Sequence, residues 1–395
     1  MKKKFGWLFI VLFFIIHLCT TISLRDISAL AENTSSEAEE LVGESVLELI
    51  GELDLQALQK YVDSLGALSG ESVAQRLLDY IKGEGFDYNN FGEEIVGVLF
   101  ENVGDLLPAF ACIAAIALLS GLISTLKSGT ASATSSNMIF LISYAAALIP
   151  LVGVLIECFE QTFESVSQMQ QQMQIVYPLL LTLMAASGGA SLVAMCRPAV
   201  AFFSNTIVSL ISSVVFPLTV TIVAFSMAGN LTKELKISKF SAFFKSINKW
   251  IIGVCVSVFG LFFTLQGLTA ATYDGVVRRA AKYAIGSGVP IVGGFLSGGF
   301  DLAVAGSILI KNSLGSMSIF LMVSVLFEPL VTLISVNVML RFTAAITQPY
   351  GDSRISDFLG ETADNLNYCT AGLLFTAFLY FITIVLIVSS SEALF

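Results

Sequence analysis

Eight apolar stretches dominate this sequence, each about as long as a helix that crosses a bilayer. They are Leu106–Leu126, Met138–Ile156, Ile175–Cys196, Ala199–Gly229, Ile251–Ala271, Ile291–Ile310, Ser313–Leu340 and Cys369–Ser389. A crossing helix needs roughly 20 apolar residues at about 1.5 Å each to span about 30 Å of hydrocarbon. Charged residues make up only 13% of the 395, too few to coat a water-exposed surface of this size. The expected fold is therefore all-α and polytopic, an integral protein whose solvent is the lipid bilayer.

Composition also removes function classes. The net charge is −10 and no basic footprint is present, which excludes a nucleic-acid partner. His17 is the only histidine, so a Ser/His/Asp triad, a His-ligated zinc or a His base has no residue left to build it once residues 1–31 are removed. The six cysteines show no CxxC spacing and mostly sit in apolar runs, as buried small hydrophobes do. Gly121 to Ser128 imitates a phosphate loop but lacks its second glycine and ends an apolar run. The glutamine-rich tract Gln168–Gln174 carries no chemistry of its own. No catalytic, metal or cofactor site is expected, and no enzyme.

The chain divides into three parts. Lys2, Lys3 and Lys4 precede the apolar run Phe5–Leu18, and Ala29-Leu30-Ala31 supplies a small-x-small pattern, so residues 1–31 read as a signal peptide cleaved after Ala31. An uncleaved anchor is the other reading, and either one exports the segment after Ala31. Residues 32–105 hold 17 acidic residues against Lys60, Arg76 and Lys82, a net of −14. Val42, Val46, Leu49, Leu53 and Leu58, then Val73, Leu77 and Ile81, recur at helical spacing, which predicts two or three short amphipathic helices. This acidic extracytoplasmic segment either packs on itself or docks a partner. Residues 106–395 form the membrane domain.

Topology carries a parity conflict. With residues 32–105 outside, four single crossings through Gly229 leave Asn230–Trp250 outside. That stretch carries Lys233, Lys236, Lys239, Lys245 and Lys249 against Glu234, and a loop so basic belongs in the cytoplasm. One crossing must be added or removed. A hairpin near Pro217 or a discontinuous helix at Ser187, Gly188 and Gly189 would do it, the second being favoured. Asp274, Arg278, Arg279 and Lys282 form a basic motif on what would be the outer side, suited to an interfacial helix or one folded into the domain. Phe342–Tyr368 is acidic and suits the outside. Seven or eight crossings are expected, within a range of six to nine.

Two stretches echo each other: Pro178, Ser187-Gly188-Gly189, Arg197 and Pro217, then Pro290, Ser297-Gly298-Gly299, Lys311 and Pro329. Paired Gly/Pro-broken helices are how transporters build a midplane site, although apolar low complexity produces such echoes too. Asp301 and Glu328 sit in the middle of apolar runs, with Lys311 and Arg341 near the run ends. Charges at that depth line a polar pathway or pair with one another.

Four stretches in register carry a family resemblance: Pro178–Gly189 (PLLLTLMAASGG), Asp274–Gly294 (DGVVRRAAKYAIGSGVPIVGG), Ser307–Gly315 (SILIKNSLG) and Ala344–Asp352 (AAITQPYGD). Placed after a signal and an acidic exported segment, they resemble the stage III sporulation protein AE family of endospore-forming bacteria. The resemblance covers about residues 106–391. It implies a multi-pass protein of the mother-cell membrane around the forespore, partnered with other proteins of its stage III sporulation operon and with a forespore-membrane protein. The implied function is a non-enzymatic subunit of a trans-envelope, secretion-like channel complex. The alternative is a stand-alone permease, which would need no acidic exported segment.

Overall fold

The computed structural model describes residues 46–65, 72–81, 91–127, 133–187, 190–231, 238–269, 293–349 and 353–389. Every regular element among them is helical. We number these α1 (46–52), α2 (Gln56–Ser64), α3 (Val73–Ile81), α4 (Phe91–Lys127), α5 (Ala133–Ala186), α6 (190–231), α7 (Ser238–Thr269), α8 (Gly293–Thr347) and α9 (Ser353–Ser389). The signal peptide with its cleavage point, and the basic motif Asp274, Arg278, Arg279 and Lys282, lie outside the described residues.

Among the described residues, six helices are long and apolar enough to cross a membrane, where the sequence shows eight apolar runs. The two runs Met138–Ile156 and Ile175–Cys196 lie largely on one 54-residue helix, α5. The stretch between them, Glu157–Gln174, contains Glu, Gln, Met and Ser but neither Gly nor Pro. With no breaker present, strong helix formers carry the helix through. Likewise Ile291–Ile310 and Ser313–Leu340 share the 55-residue α8. At 1.5 Å per residue each helix is about 80 Å long. A straight helix cannot cross a bilayer twice, so each of these two pairs of runs accounts for at most one crossing.

α6 does not form the hairpin that was the other way to restore parity near Pro217. It runs unbroken past Pro217, with π-helical turns at Phe202–Ile207 and Ile211–Val215. The second π turn ends just before Phe216-Pro217, where proline's missing N–H and its ring would strain a regular helix. The helix is interrupted instead between Ala186 and Ala190, across the Ser187–Gly189 stretch favoured for a discontinuity.

Pairings along the bundle fix the order of its ends. α6 runs antiparallel to α5: Gln174 donates to Asn205 at 2.8 Å, Gln170 to Ser209 at 3.0 Å, and Phe163 stacks on Phe216. α9 runs parallel to α5, since Tyr144 meets Phe358 and Tyr177 meets Tyr380. α8 is antiparallel to both, through Gln172 to the Ser318 carbonyl and Lys311 to the Val388 carbonyl. α7 returns along α6, Asn248 donating to Thr219 and Phe244 stacking on Phe225. The connections after Lys127, Leu231 and Thr347 therefore share one end, termed the lower end, and the α5–α6 reversal marks the upper end.

This arrangement removes the parity conflict. α5 is one helix where two crossings and a loop were expected, so the chain after α6 comes back to the end where α4 finished. It also places the α8–α9 connection beside the basic connection after α6, as Asn230 donates to Glu361 at 3.3 Å. The expectation that Phe342–Tyr368 lies opposite Asn230–Trp250 is thus corrected. Its acids Asp357, Glu361 and Asp364 belong to the first turns of helix α9, not to a free outer loop.

The acidic segment packs on the upper half. Val46, Ile50, Leu58, Val62, Val73 and Leu77 are buried in the common core. Gly306 of α8 leaves room for Leu49, which a β-carbon there would approach to 2.9 Å. Tyr61 donates to the Gln168 carbonyl at 3.2 Å, and burial pushes its hydroxyl pKa up, keeping it a neutral donor. The expected division at residue 105 falls inside α4, which runs from one part into the other.

Candidate functional site

In a bundle of apolar helices the chemistry lies where side chains carry charge. One such group spans α6, α8 and α9 near the lower end. Asp357, Glu361 and Asp364 recur at i, i+4 and i+7 on α9, so one helical face presents all three, exposed. Arg341 of α8 meets Asp364 at 2.7 Å and donates through Nε to Asn337 Oδ1 at 2.9 Å. Asn337 in turn donates to the Ala363 carbonyl at 2.6 Å, so the guanidinium is held by a residue that is itself fixed to α9. On the other side Glu361 accepts from the Ser226 hydroxyl at 2.6 Å and from Asn230 at 3.3 Å. The carboxylates are thereby tied to both neighbouring helices.

The group has an inner continuation. Asn365, one turn beyond Glu361 and on nearly the same face, is 1% exposed, and neither its Nδ2 nor its Oδ1 has a hydrogen-bond partner. Burying an amide without partners costs about 1–3 kcal/mol for each unmet group.

The sequence-selected residues fall in different places. Arg341 belongs to this group. Lys311 is fully buried in the upper half, where its Nζ donates to the Val388 carbonyl at 2.6 Å and the Ile387 carbonyl at 3.5 Å. These are carbonyls of the last turn of α9, which have no acceptor role within the helix, and a cation there also meets the negative end of the helix dipole. Glu328 lies on the outward face of α8. Asp301 is on α8 one turn before Ala305, and its side chain is outside the described residues. The structure therefore does not gather Asp301, Lys311, Glu328 and Arg341 into one site.

The glycine-rich stretches also separate. Ser187 closes the end of α5, its hydroxyl donating to the Met184 carbonyl at 2.9 Å, and Gly188 and Gly189 lie between the described residues. α8 runs on through Ser297, Gly298 and Gly299. Glycine weakens a helix without obliging it to break, and the rest of α8 propagates through these three.

Sequence reasoning missed Glu361, Asp364, Ser226 and Asn230. The spacing of 357, 361 and 364 was a usable signal, but that stretch read as a loop. Among the described residues no three His, Cys, Asp or Glu side chains gather as a metal site.

Residues 72–391 match the stage III sporulation protein AE family. The chain is similar to the curated stage III sporulation protein AE of Bacillus subtilis (strain 168), 24% identical over 366 residues that cover 92% of this chain and 90% of the relative. No solved structure matches it.

Proposed function

Because this chain belongs to the stage III sporulation protein AE family, we propose that its sporulation role is that of a non-enzymatic, multi-pass membrane subunit. In this reading it serves a secretion-like channel complex connecting mother cell and forespore. The lower end, with Lys127 and Lys239 and the lysine-rich connection after α6, faces the mother-cell cytoplasm. The acidic segment on the upper half faces the space between the two membranes, where it meets operon partners and a forespore-membrane protein.

The observation that supports a subunit rather than a self-sufficient protein is the outward polar strip of Glu361, Asp364 and Arg341. Charges turned outward at membrane depth are unsuited to lipid and suited to a hydrated path or to a neighbouring subunit. A permease of the broken-helix type uses paired interruptions near mid-bundle. Here the interruption between Ala186 and Ala190 lies at an end of the bundle, and its counterpart at residues 297–299 is helical.

Asp364→Asn and Glu361→Gln keep size and remove charge. Each variant should accumulate in the membrane at the normal level and co-purify with its partners, while heat-resistant spore counts collapse. Full spore formation by both variants would contradict the reading.

A further inference from the structure

We infer that the bilayer covers only the lower halves of α4, α5, α6 and α8, and that the upper halves of these four helices stand in the aqueous phase. Two helices of about 80 Å cannot both be clad in a hydrocarbon layer of about 30 Å. The outward faces say where the layer stops.

On α5 the exposed residues run Met138, Ile142, Ile149 and Ile156, then change abruptly to Glu157, Glu160, Glu164 and Gln171, and finish with Pro178, Thr182 and Ala185. In the apolar run 175–186, Val176, Leu180, Leu181, Leu183 and Met184 are buried in the core and Ile175 and Leu179 are half-buried. α4 makes the same change in the opposite direction, from exposed Glu101 and Asp105 to Leu107, Leu119, Leu122 and Ile123. α8 changes from Ser316, Ser324 and Glu328 to Val338, Phe342 and Ile346. α6 changes from Asn205, Thr206 and Ser213 to Val220 and Leu231.

The changes lie within about two helical turns of one level. Thr332 of α8 bonds Asn102 of α4 at 3.3 Å, and Phe163 of α5 stacks on Phe216 of α6. Asn248 bonds Thr219 and the Val215 carbonyl, which brings Lys249 and Trp250 of α7 to the same line, the residue types that favour a membrane interface. Below it, the segments 107–127, 138–156, 217–231 and 333–347 measure about 21–30 Å each, no more than one hydrocarbon thickness. Above it, residues 157–186 of α5 rise about 45 Å.

Exposed large apolar groups above the line gather on α7, at Val254, Val256, Val258 and Leu261, while Leu47, Phe100, Phe202 and Leu309 are scattered. Below the line, the strip at Asp364 and Glu361 is the side not given to lipid.

This placement rests on the chain being a membrane protein, and not on its conducting anything. The test uses the purified full chain, with its native cysteines replaced, in liposomes of phosphatidylethanolamine and phosphatidylglycerol that carry nitroxide-labelled acyl chains. A fluorophore on Ile142→Cys or Ile149→Cys should be quenched several-fold more than one on Gln171→Cys or Thr182→Cys. Equal quenching at Thr182 and Ile149, or stronger quenching at Thr182, would overturn the inference. A photo-crosslinking residue at the same four positions, which leaves the cysteines in place, reads the same distinction: lipid adducts at 142 and 149 only, against adducts at 182.

Discussion

Lys311 is a long cation placed where α9 ends, and its value lies in the carbonyls it meets. Replacing it by methionine keeps most of its volume and leaves the Val388 and Ile387 carbonyls without that donor. Lys311→Met should lower stability by about 1–3 kcal/mol, seen as a lower unfolding midpoint in detergent and less protein in the membrane. If Asp301 pairs with the same lysine, adding Asp301→Asn recovers only part of the loss, because the carbonyls still lack a donor. Full recovery in the double variant would assign the whole effect to the acid. Sequence alone singled out Lys311 and Arg341 as cations needing a partner, which the structure supplies. It could not name those partners, because a helix-terminal carbonyl is present at every residue, and Asp364 is 23 positions away from Arg341.

Elements were legible where hydropathy ran to about one bilayer thickness and misjudged where polar residues interrupted it. Glu157–Gln174 looked like a loop because it is polar, yet its outward polar positions and inward Val166, Met169 and Met173 make it an amphipathic helix stretch. Placing Ser167→Pro in its exposed face should cost about 3 kcal/mol or more, and should reduce membrane levels of the protein. A wild-type level and midpoint would argue that α5 is two helices joined by a loop. Close helix contacts were equally invisible to hydropathy. A β-carbon on Gly372 of α9 would lie 2.7 Å from Phe216 of α6. Gly372→Ala should therefore destabilise the bundle by about 1–3 kcal/mol, and Phe216→Leu in the same chain should recover part of that in the unfolding midpoint. Loss without recovery would place the strain elsewhere.

At the scale of the molecule, the acidic segment and the bundle behave as one core. Val46, Leu58 and Leu77 are as buried as residues of α9. Deleting residues 40–85 should strip that shared core, lower the unfolding midpoint and stop spore formation, whereas a normal midpoint with normal sporulation would reduce the segment to a spacer. The class of fold was readable from the runs and the charge scarcity, and the two-ended order was not, since it arises from two helices that each absorb two runs. Single cysteines in intact cells report on that order. With an impermeant thiol reagent, a cysteine at Glu48 should label, while cysteines at Lys239 and Gln348 should label only after the membrane is opened. Labelling of Gln348 together with Glu48 while Lys239 stays silent would put the two lower connections on opposite sides and contradict the two-ended bundle.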